Sequence, residues 1–431
     1  MSDTLPSKEL ANPGALRILK PSQVQREIKP AVQQKHLDDA GAIINQVRTS
    51  GERAIRQYAE MFNERTEHDP LLYTKDQMQE ALQSLDPLKR KALERAANRI
   101  ERFAAAQRAS VQDLTIDIPG GQSGHTICPI ESAGCYAPAG RYPLPSTVLM
   151  TAITARVAGC KRVVVASPGA DPIMLAAAAI AGADQFLAVG GPHAIAAMAL
   201  GFDGFPRCDF IAGPGNAWVT AAKQLLSGTV GIDMLAGPSE LLVVCDDSAD
   251  PVMVAADVLA QAEHDPEAVP MVVSTSASLA DAINTEIQRQ VLELNTRDVA
   301  IKALNNGFIV VAESMDQAVG LTNVIAPEHL ELITDNAQAL ATEITNAGAI
   351  FIGQNTPEVL GDYGAGPNHT LPTGSTARFS AGLSVINFLR FRTWIRIDNQ
   401  SEAQGIFDDT CQIAQMEGLD AHHASALARN P

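Results

Sequence analysis

From Cys135 onward the chain alternates short β-branched runs with Ala-rich segments of helical period, which restricts it to a layered α/β architecture built on parallel strands. Arg162 to Ser167, Gln185 to Val189, Asp209 to Ala212 and Leu241 to Cys245 read as strands, with helices near Ile173 to Ala181, Pro192 to Leu200 and Ala217 to Leu226 between them. A second series has strands near Pro270 to Ser274, Phe308 to Ala312, Leu330 to Thr334 and Ala349 to Ile352, with helices near Leu279 to Leu294 and Ala337 to Asn346. Two doubly wound modules, Rossmann-like in pattern, are the economical reading.

The flanks differ from this pattern. Residues 1–30 hold Pro6, Pro13, Pro21 and Pro30 without sustained periodicity and are expected to form an arm lying on another surface. Helical spacing then runs through Leu37, Ala40, Ile43, Ile44 and Val47, and through Ala54, Ile55, Tyr58 and Phe62 beyond a break at Ser50-Gly51. It recurs at Leu88, Ala92, Leu93, Ala96, Ile100 and Phe103. Tyr363 to Ser380 is a loop by composition, and after Phe391 a polar, helical tail runs to Pro431 that is too short to bury a core of its own.

A chain of 431 residues with 46% hydrophobic and 19% charged residues can bury two or three cores. The net charge of -17, with no basic run to offset it, disfavours nucleic acid and anionic membranes as partners. Met1 to Lys20 lacks the apolar core of a secretory signal, and no stretch approaches the roughly 20 apolar residues of a spanning helix. The six cysteines are scattered singly, several in apolar runs such as Leu242-Val243-Val244-Cys245, so reduced thiols and a cytoplasmic location are expected.

Several groups could carry chemistry. Asp250-Pro251 is a credible helix start, and that helix would set Gln261 and His264 three residues apart on one face, either as two ligands for one ion or as a solvated helix end. Ala326-Pro327-Glu328-His329-Leu330 puts a carboxylate beside an imidazole just before a strand, as acid-base groups or as a polar strand entry. Gly361 to His369 holds Asp362 and His369 in a glycine-rich loop that is catalytic or simply surface. Gly213-Pro214-Gly215-Asn216 follows a strand and opens a helix, a partial dinucleotide fingerprint, and Gly190-Gly191 is a similar, weak signal. No thiolate zinc pattern is present, so a metal site would need distant N and O donors.

Taken in order, Gln261-Ala262-Glu263-His264-Asp265, Ala326 to Leu330, Gly361 to His369 and Glu417-Gly418-Leu419-Asp420-Ala421-His422 resemble the histidinol dehydrogenase family. The resemblance extends to Tyr136, Pro145 to Met150, Gly213 to Asn216, Ile232-Asp233-Met234 and Ala236 to Glu240, and covers the chain from about residue 35 to its end. It implies oxidation of L-histidinol to L-histidine through L-histidinal, with two hydrides passing in succession to NAD. It implies one zinc ion per subunit held by Gln261, His264, Asp362 and His422, with Glu328 and His329 as the acid-base pair. Ser239, His369 and Glu417 match substrate-contacting positions beside the metal ligands and His329, while Tyr136, His193 and Asn216 fall where the family contacts NAD. Members are homodimers whose C-terminal tail reaches the partner's site.

The expected organisation is therefore an arm at 1–30, a first module at 31–135 and 241–384 with the metal and acid-base residues, a cofactor module at 136–240 and a tail at 385–431. Departures gather on the cofactor side. His193 stands where the family usually has Gln, Pro192 where Ala is common, Ala139 where Gly is usual, and Gly201-Phe202-Asp203-Gly204 where Gly-Thr-Glu is customary. Two other readings follow from them: a paralogue oxidising another polar primary alcohol such as a sulfonated propanediol, with Arg141 or Arg378 as the anion-binding residue, and a non-catalytic binding protein. The retained metal and acid-base positions, with Glu417 in its Glu-Gly-Leu-x-Ala-His setting, favour the histidinol reading.

Overall fold

Strands that are apolar on both faces must be covered on both, and the apolar runs of this chain assemble into two such sheets. The computed structural model describes residues 14–25, 32–139 and 142–430. The expectations placed on Pro6, Pro13, Pro30, Arg141 and Pro431 lie outside them.

The first sheet has six parallel strands in the order Arg17–Leu19, Phe308–Val311, Val269–Ser274, Glu240–Cys245, His329–Ile333 and Ala349–Ile352. The second has the order Leu72–Tyr73, Gln185–Leu187, Arg162–Ala166, Ser132–Tyr136, Phe210–Ala212 and Gly231–Ile232, parallel except for its first, antiparallel strand. Side-chain alternation divides each sheet between two cores. Val163 and Val165 pack with Leu149, Met150 and Met174, while Val164 and Ala166 face Ile44, Ile55, Ile195 and Val219 across the other face. Burial of each such aliphatic side chain contributes about 1.5–3 kcal/mol before chain entropy is set against it.

The structure corrects the expected boundaries. Residues 31–135 were assigned to the metal-bearing module, but the helices Gln34–Ser50, Glu52–Met61, Lys75–Ser84 and Pro87–Ala109 all cover the second sheet. Ala40, Ile43, Ile44 and Val47 line the buried stripe of the first of these helices, and Ser132–Tyr136 is a central strand of that same sheet. Periodicity defines an apolar stripe without naming the sheet that receives it, and this is why the sequence misplaced the segment. The arm is likewise no loose appendage, because Arg17–Leu19 extends the first sheet beside Phe308–Val311.

The tail is not wholly helical. Leu389–Ile397 is a strand, antiparallel to Gly121–Pro129, which pairs in turn with Leu114–Ile118 to complete a three-stranded sheet. Its alternation Leu-Arg-Phe-Arg-Thr-Trp-Ile-Arg-Ile carries the two-residue period of a half-exposed strand, a signal available in the sequence. Helices Gln404–Met416 and Asp420–Leu427 follow, packed on each other, with Ile413, Met416 and Leu427 exposed. The helices Arg297–Leu304 and Met315–Ile325 were also unforeseen, and the expected helix from Ala337 stops at Leu340. Among the described residues all six thiols are unpaired, five of them buried. No helix among them is long and apolar enough to cross a membrane.

Candidate active site

A cleft of about 3640 Å³ runs between the two parallel sheets. The second sheet presents its carboxyl edge to it: Tyr136 ends the strand Ser132–Tyr136, while Gly191 and Asn216 lie just beyond the strands Gln185–Leu187 and Phe210–Ala212. Strand order reverses at Ser132–Tyr136, the crevice where open α/β sheets bind ligands. The first sheet presents its amino edge, since Ser239 and Glu240 line the cleft at the start of Glu240–Cys245, and His329 opens His329–Ile333.

The helix Pro251–Ala262 starts as its sequence requires, with Asp250 Oδ1 accepting the Val252 N–H at 2.8 Å and Pro251 in the first turn. Its end delivers Gln261 and His264. Gln261 is fully buried, and neither its amide oxygen nor its amide nitrogen has a hydrogen-bond partner among the described residues. Such a group costs roughly 1–3 kcal/mol unless something fills its valence. His264 Nε2 lies 3.4 Å from Asp362 Oδ2, and this contact raises the His264 pKa. Burial works to raise Asp362, but its bond to His264 and the nearby imidazoles outweigh burial and hold it below the usual carboxylate range.

A third group, Glu358, was missed in the sequence. One ligand atom each from His264, Glu358 and Asp362 lie within 4.8 Å of one another. Both Glu358 carboxylate oxygens are buried without a hydrogen-bond partner among the described residues, and burial, then the Asp362 charge, push its pKa to about 8. Nitrogen and oxygen donors packed this closely, with an orphaned Gln261 amide on the same helix end, fit a divalent ion of the zinc, manganese or cobalt kind.

Glu328 and His329 are brought together below the cleft wall, both about 5% exposed or less. Glu328 Oε2 accepts the Glu240 N–H at 2.8 Å, and burial raises its pKa well above that of a free carboxylate. His329 Nδ1 lies 3.0 Å from the Glu240 carbonyl oxygen, so Nδ1–H donates there and Nε2 carries the lone pair. That nitrogen is 3.7 Å from Glu358 Oε1, and burial lowers the ring's pKa to about 4. His369 bridges the two halves, with Nδ1 3.1 Å from the Asp362 carbonyl oxygen and Nε2 3.1 Å from Thr147 Oγ1 on the helix Pro145–Ala158.

On the cofactor side Asn216 caps the helix Ala217–Leu226, its Oδ1 accepting the N–H groups of Trp218 and Val219 at 3.1 Å, and it lines the cleft with Trp218. Tyr136 is buried, its hydroxyl accepting the Gly191 N–H at 3.2 Å. The expectation for His193 needs correction. It is completely buried and bonded to Glu64, leaving Gly191 and Pro192 on the cleft surface.

Two expected residues do not reach the site within this chain. Glu417 and His422 are exposed on the tail and absent from the cleft wall. Arg378 donates through Nη2 to the Asn323 carbonyl at 2.7 Å near the end of the helix Met315–Ile325 and is not among the residues that line the cleft.

Behind the His264, Glu358 and Asp362 cluster lies a further carboxylate, Glu331, whose Oε1 accepts the Glu358 N–H at 2.5 Å. Burial, then the Asp257 charge, push Glu331 up to about 9, so folding at pH 7 must bind a proton that the unfolded chain does not hold. Glu331→Gln removes this requirement and is expected to stabilise the metal-free protein by about 2 kcal/mol at pH 7, less toward pH 4 where the free carboxyl is itself protonated. Denaturant titrations at both pH values check this, and a stability loss at pH 7 would overturn it.

The model of the family described as histidinol dehydrogenase matches residues 27–430. A histidinol dehydrogenase of Parasynechococcus marenigrum is 44% identical over 394 residues, covering 90% of this chain and 89% of the relative. One of Nitrosomonas europaea is 41% identical over 396 residues, covering 90% and 91% respectively. The crystal structure of histidinol dehydrogenase from Elizabethkingia anophelis superposes with a TM-score of 0.89 at 31% identity, over 96% of this chain and 98% of that one.

Proposed function

The chain belongs to the histidinol dehydrogenase family of oxidoreductases, and on that premise we propose that it oxidises L-histidinol to L-histidine through L-histidinal, in the cytoplasm, as the closing reaction of histidine biosynthesis. The observation that carries the reading is His329, a buried imidazole held by the Glu240 carbonyl in the tautomer that leaves Nε2 basic, beside Glu328, Glu358 and Asp362.

Gln261, His264 and Asp362 would hold the zinc, with Glu358 at the same group and His422 from a second subunit. When bound, zinc would orient the substrate through its imidazole and amine, and NAD, on the wall formed by Tyr136, Gly191, Pro192 and Asn216, would accept the hydrides. His329 Nε2 takes the hydroxyl proton as hydride leaves the alcohol carbon. As a carboxylate, Glu328 would draw a proton from the water that adds to the aldehyde, a step that the higher proton affinity conferred by its burial favours. As that water adds, His329 returns its proton to the aldehyde oxygen to complete the hydrate, and, unprotonated again, it takes the second hydroxyl proton as the hydrate gives up its hydride. Ser239, on the cleft wall, and His369, held beside Asp362, would contact the substrate, and Glu417 would meet the imidazole from the partner's tail.

A homodimer with exchanged tails is part of this proposal. The metal group lacks its fourth expected ligand within one chain, and Ile413, Met416, Leu419 and Leu427 are apolar side chains left exposed on the helices that carry Glu417 and His422. Counting NADH per L-histidinol tests the reaction. Two NADH per molecule, abolished by chelation and recovered with zinc, are expected; no NADH from protein that still binds zinc would refute the substrate assignment.

A further inference from the structure

A buried pair that the proposed chemistry leaves unused lies behind the cofactor wall. His193, in the first turn of the helix Gly191–Leu200, is wholly buried, and its Nε2 meets Glu64 Oε2 at 3.0 Å. The same carboxylate oxygen accepts the Gly190 N–H at 2.9 Å. Glu64 lines the cleft, yet its side chain is only 12% exposed, so these two donors pin a negative charge against the helix start and away from the cleft interior. His193 Nδ1 is buried without a partner among the described residues, which leaves the Glu64 bond as the polar contact that fixes the ring.

Glu64 follows a turn at Asn63, whose φ of 57° lies in the left-handed region that Asn tolerates better than most residues. Phe62 stacks on the His193 ring at a centroid separation of 5.7 Å while half of it stays exposed on the cleft. Without the Nε2–H donor, the Glu64 carboxylate would be freer to rotate into the cleft, where its charge opposes an anionic ligand in a poorly screened setting.

We propose that His193 is a positioning residue for dinucleotide binding, holding the Glu64 carboxylate out of the path of the pyrophosphate. This rests on the reading that the cleft takes NAD. The Gly190 and Gly191 amides are themselves bonded to Glu64 and Tyr136 and are not offered to the phosphates.

The test measures the Kd for NAD by tryptophan quenching in the zinc-loaded protein, with Trp218 on the cleft wall as reporter. His193→Leu is expected to weaken NAD about tenfold, equivalent to about 1.4 kcal/mol, with the KM for L-histidinol and the zinc content unchanged. His193→Gln, whose side-chain amide can still donate to Glu64, stays near the parent value, as does Glu64→Gln, which has no charge to release. The double variant Glu64→Gln with His193→Leu recovers most of the loss. A purely structural role predicts instead that the double variant binds as weakly as His193→Leu, and that result overturns the inference. So does unaltered NAD affinity in His193→Leu. If His193→Leu does not fold, a tenfold loss in His193→Gln or Glu64→Gln overturns it. Parent protein that holds zinc and binds no NAD refutes the cofactor reading itself, a different outcome from NAD binding that ignores His193.

Discussion

His329→Asn is expected to lower kcat for L-histidinol oxidation by about 10³-fold, within the range ascribed to positioned general bases. The amide can still donate to the Glu240 carbonyl, so the loss isolates the basic nitrogen rather than the anchoring bond. L-Histidinal should suffer equally when supplied as substrate, because both hydride steps draw on the same nitrogen. Zinc content should not change, since His329 lies outside the His264, Glu358 and Asp362 group. Burial pulls the His329 pKa to about 4, so the base form is present at every pH above that, and acidification from pH 8 to pH 6 takes nothing from this step. Glu328→Gln should behave differently: it spares the first hydride and slows the second, moving NADH per histidinol from two toward one. Steady-state and single-turnover NADH formation decide the matter, and a loss under tenfold in His329→Asn would remove it from the mechanism.

The second large effect concerns stability. Lys223 is 2% exposed, and its ammonium donates to the Gly213 carbonyl at 2.8 Å and to Asp233 Oδ1. Asp233 in turn accepts the Gly213 and Met234 N–H groups, each at 2.7 Å. This network pins Gly213, whose φ of 121° suits glycine alone and whose absent Cβ would fall 2.0 Å from the Tyr136 carbonyl oxygen. Asp233→Ala leaves a buried ammonium without its counter-charge and is expected to cost about 3–5 kcal/mol in denaturant unfolding. Lys223→Met combined with Asp233→Asn should cost less than Asp233→Ala, because no charge is then left buried. A cost below about 1 kcal/mol for Asp233→Ala would show that the loop is held by something else.

Much of the fold could be read from periodicity. Strands Arg162–Ala166 and Ala349–Ile352 and helix Ala217–Leu226 lie within a residue of where their patterns placed them, because apolar runs and helical spacing report burial locally. Arg17–Leu19 was invisible, being three residues whose strand character comes from the partner Phe308–Val311. The site followed the same division. Gln261, His264, Glu328, His329 and Asp362 stood out as residue types at suggestive spacing, and ordered motifs tied them to one family. Glu358 gave no sign, since a lone Glu before Val-Leu-Gly-Asp looks like any other until folding sets its carboxylate against His264.

The sequence by itself determined the α/β class and the family, because each is written in local pattern or in an ordered set of motifs. The tertiary structure alone decided that the helices from Gln34 to Ala109 clothe the second sheet, that His193 stands behind the wall rather than on it, and that His329 presents Nε2. It also decided that Glu417 and His422 lie apart from the other site residues of their own chain. The physical reason is the same in each case. Burial, tautomer and charge environment are set by groups distant in sequence, such as Glu240 opposite His329 and Glu64 opposite His193, and a one-dimensional pattern does not encode which of them will meet.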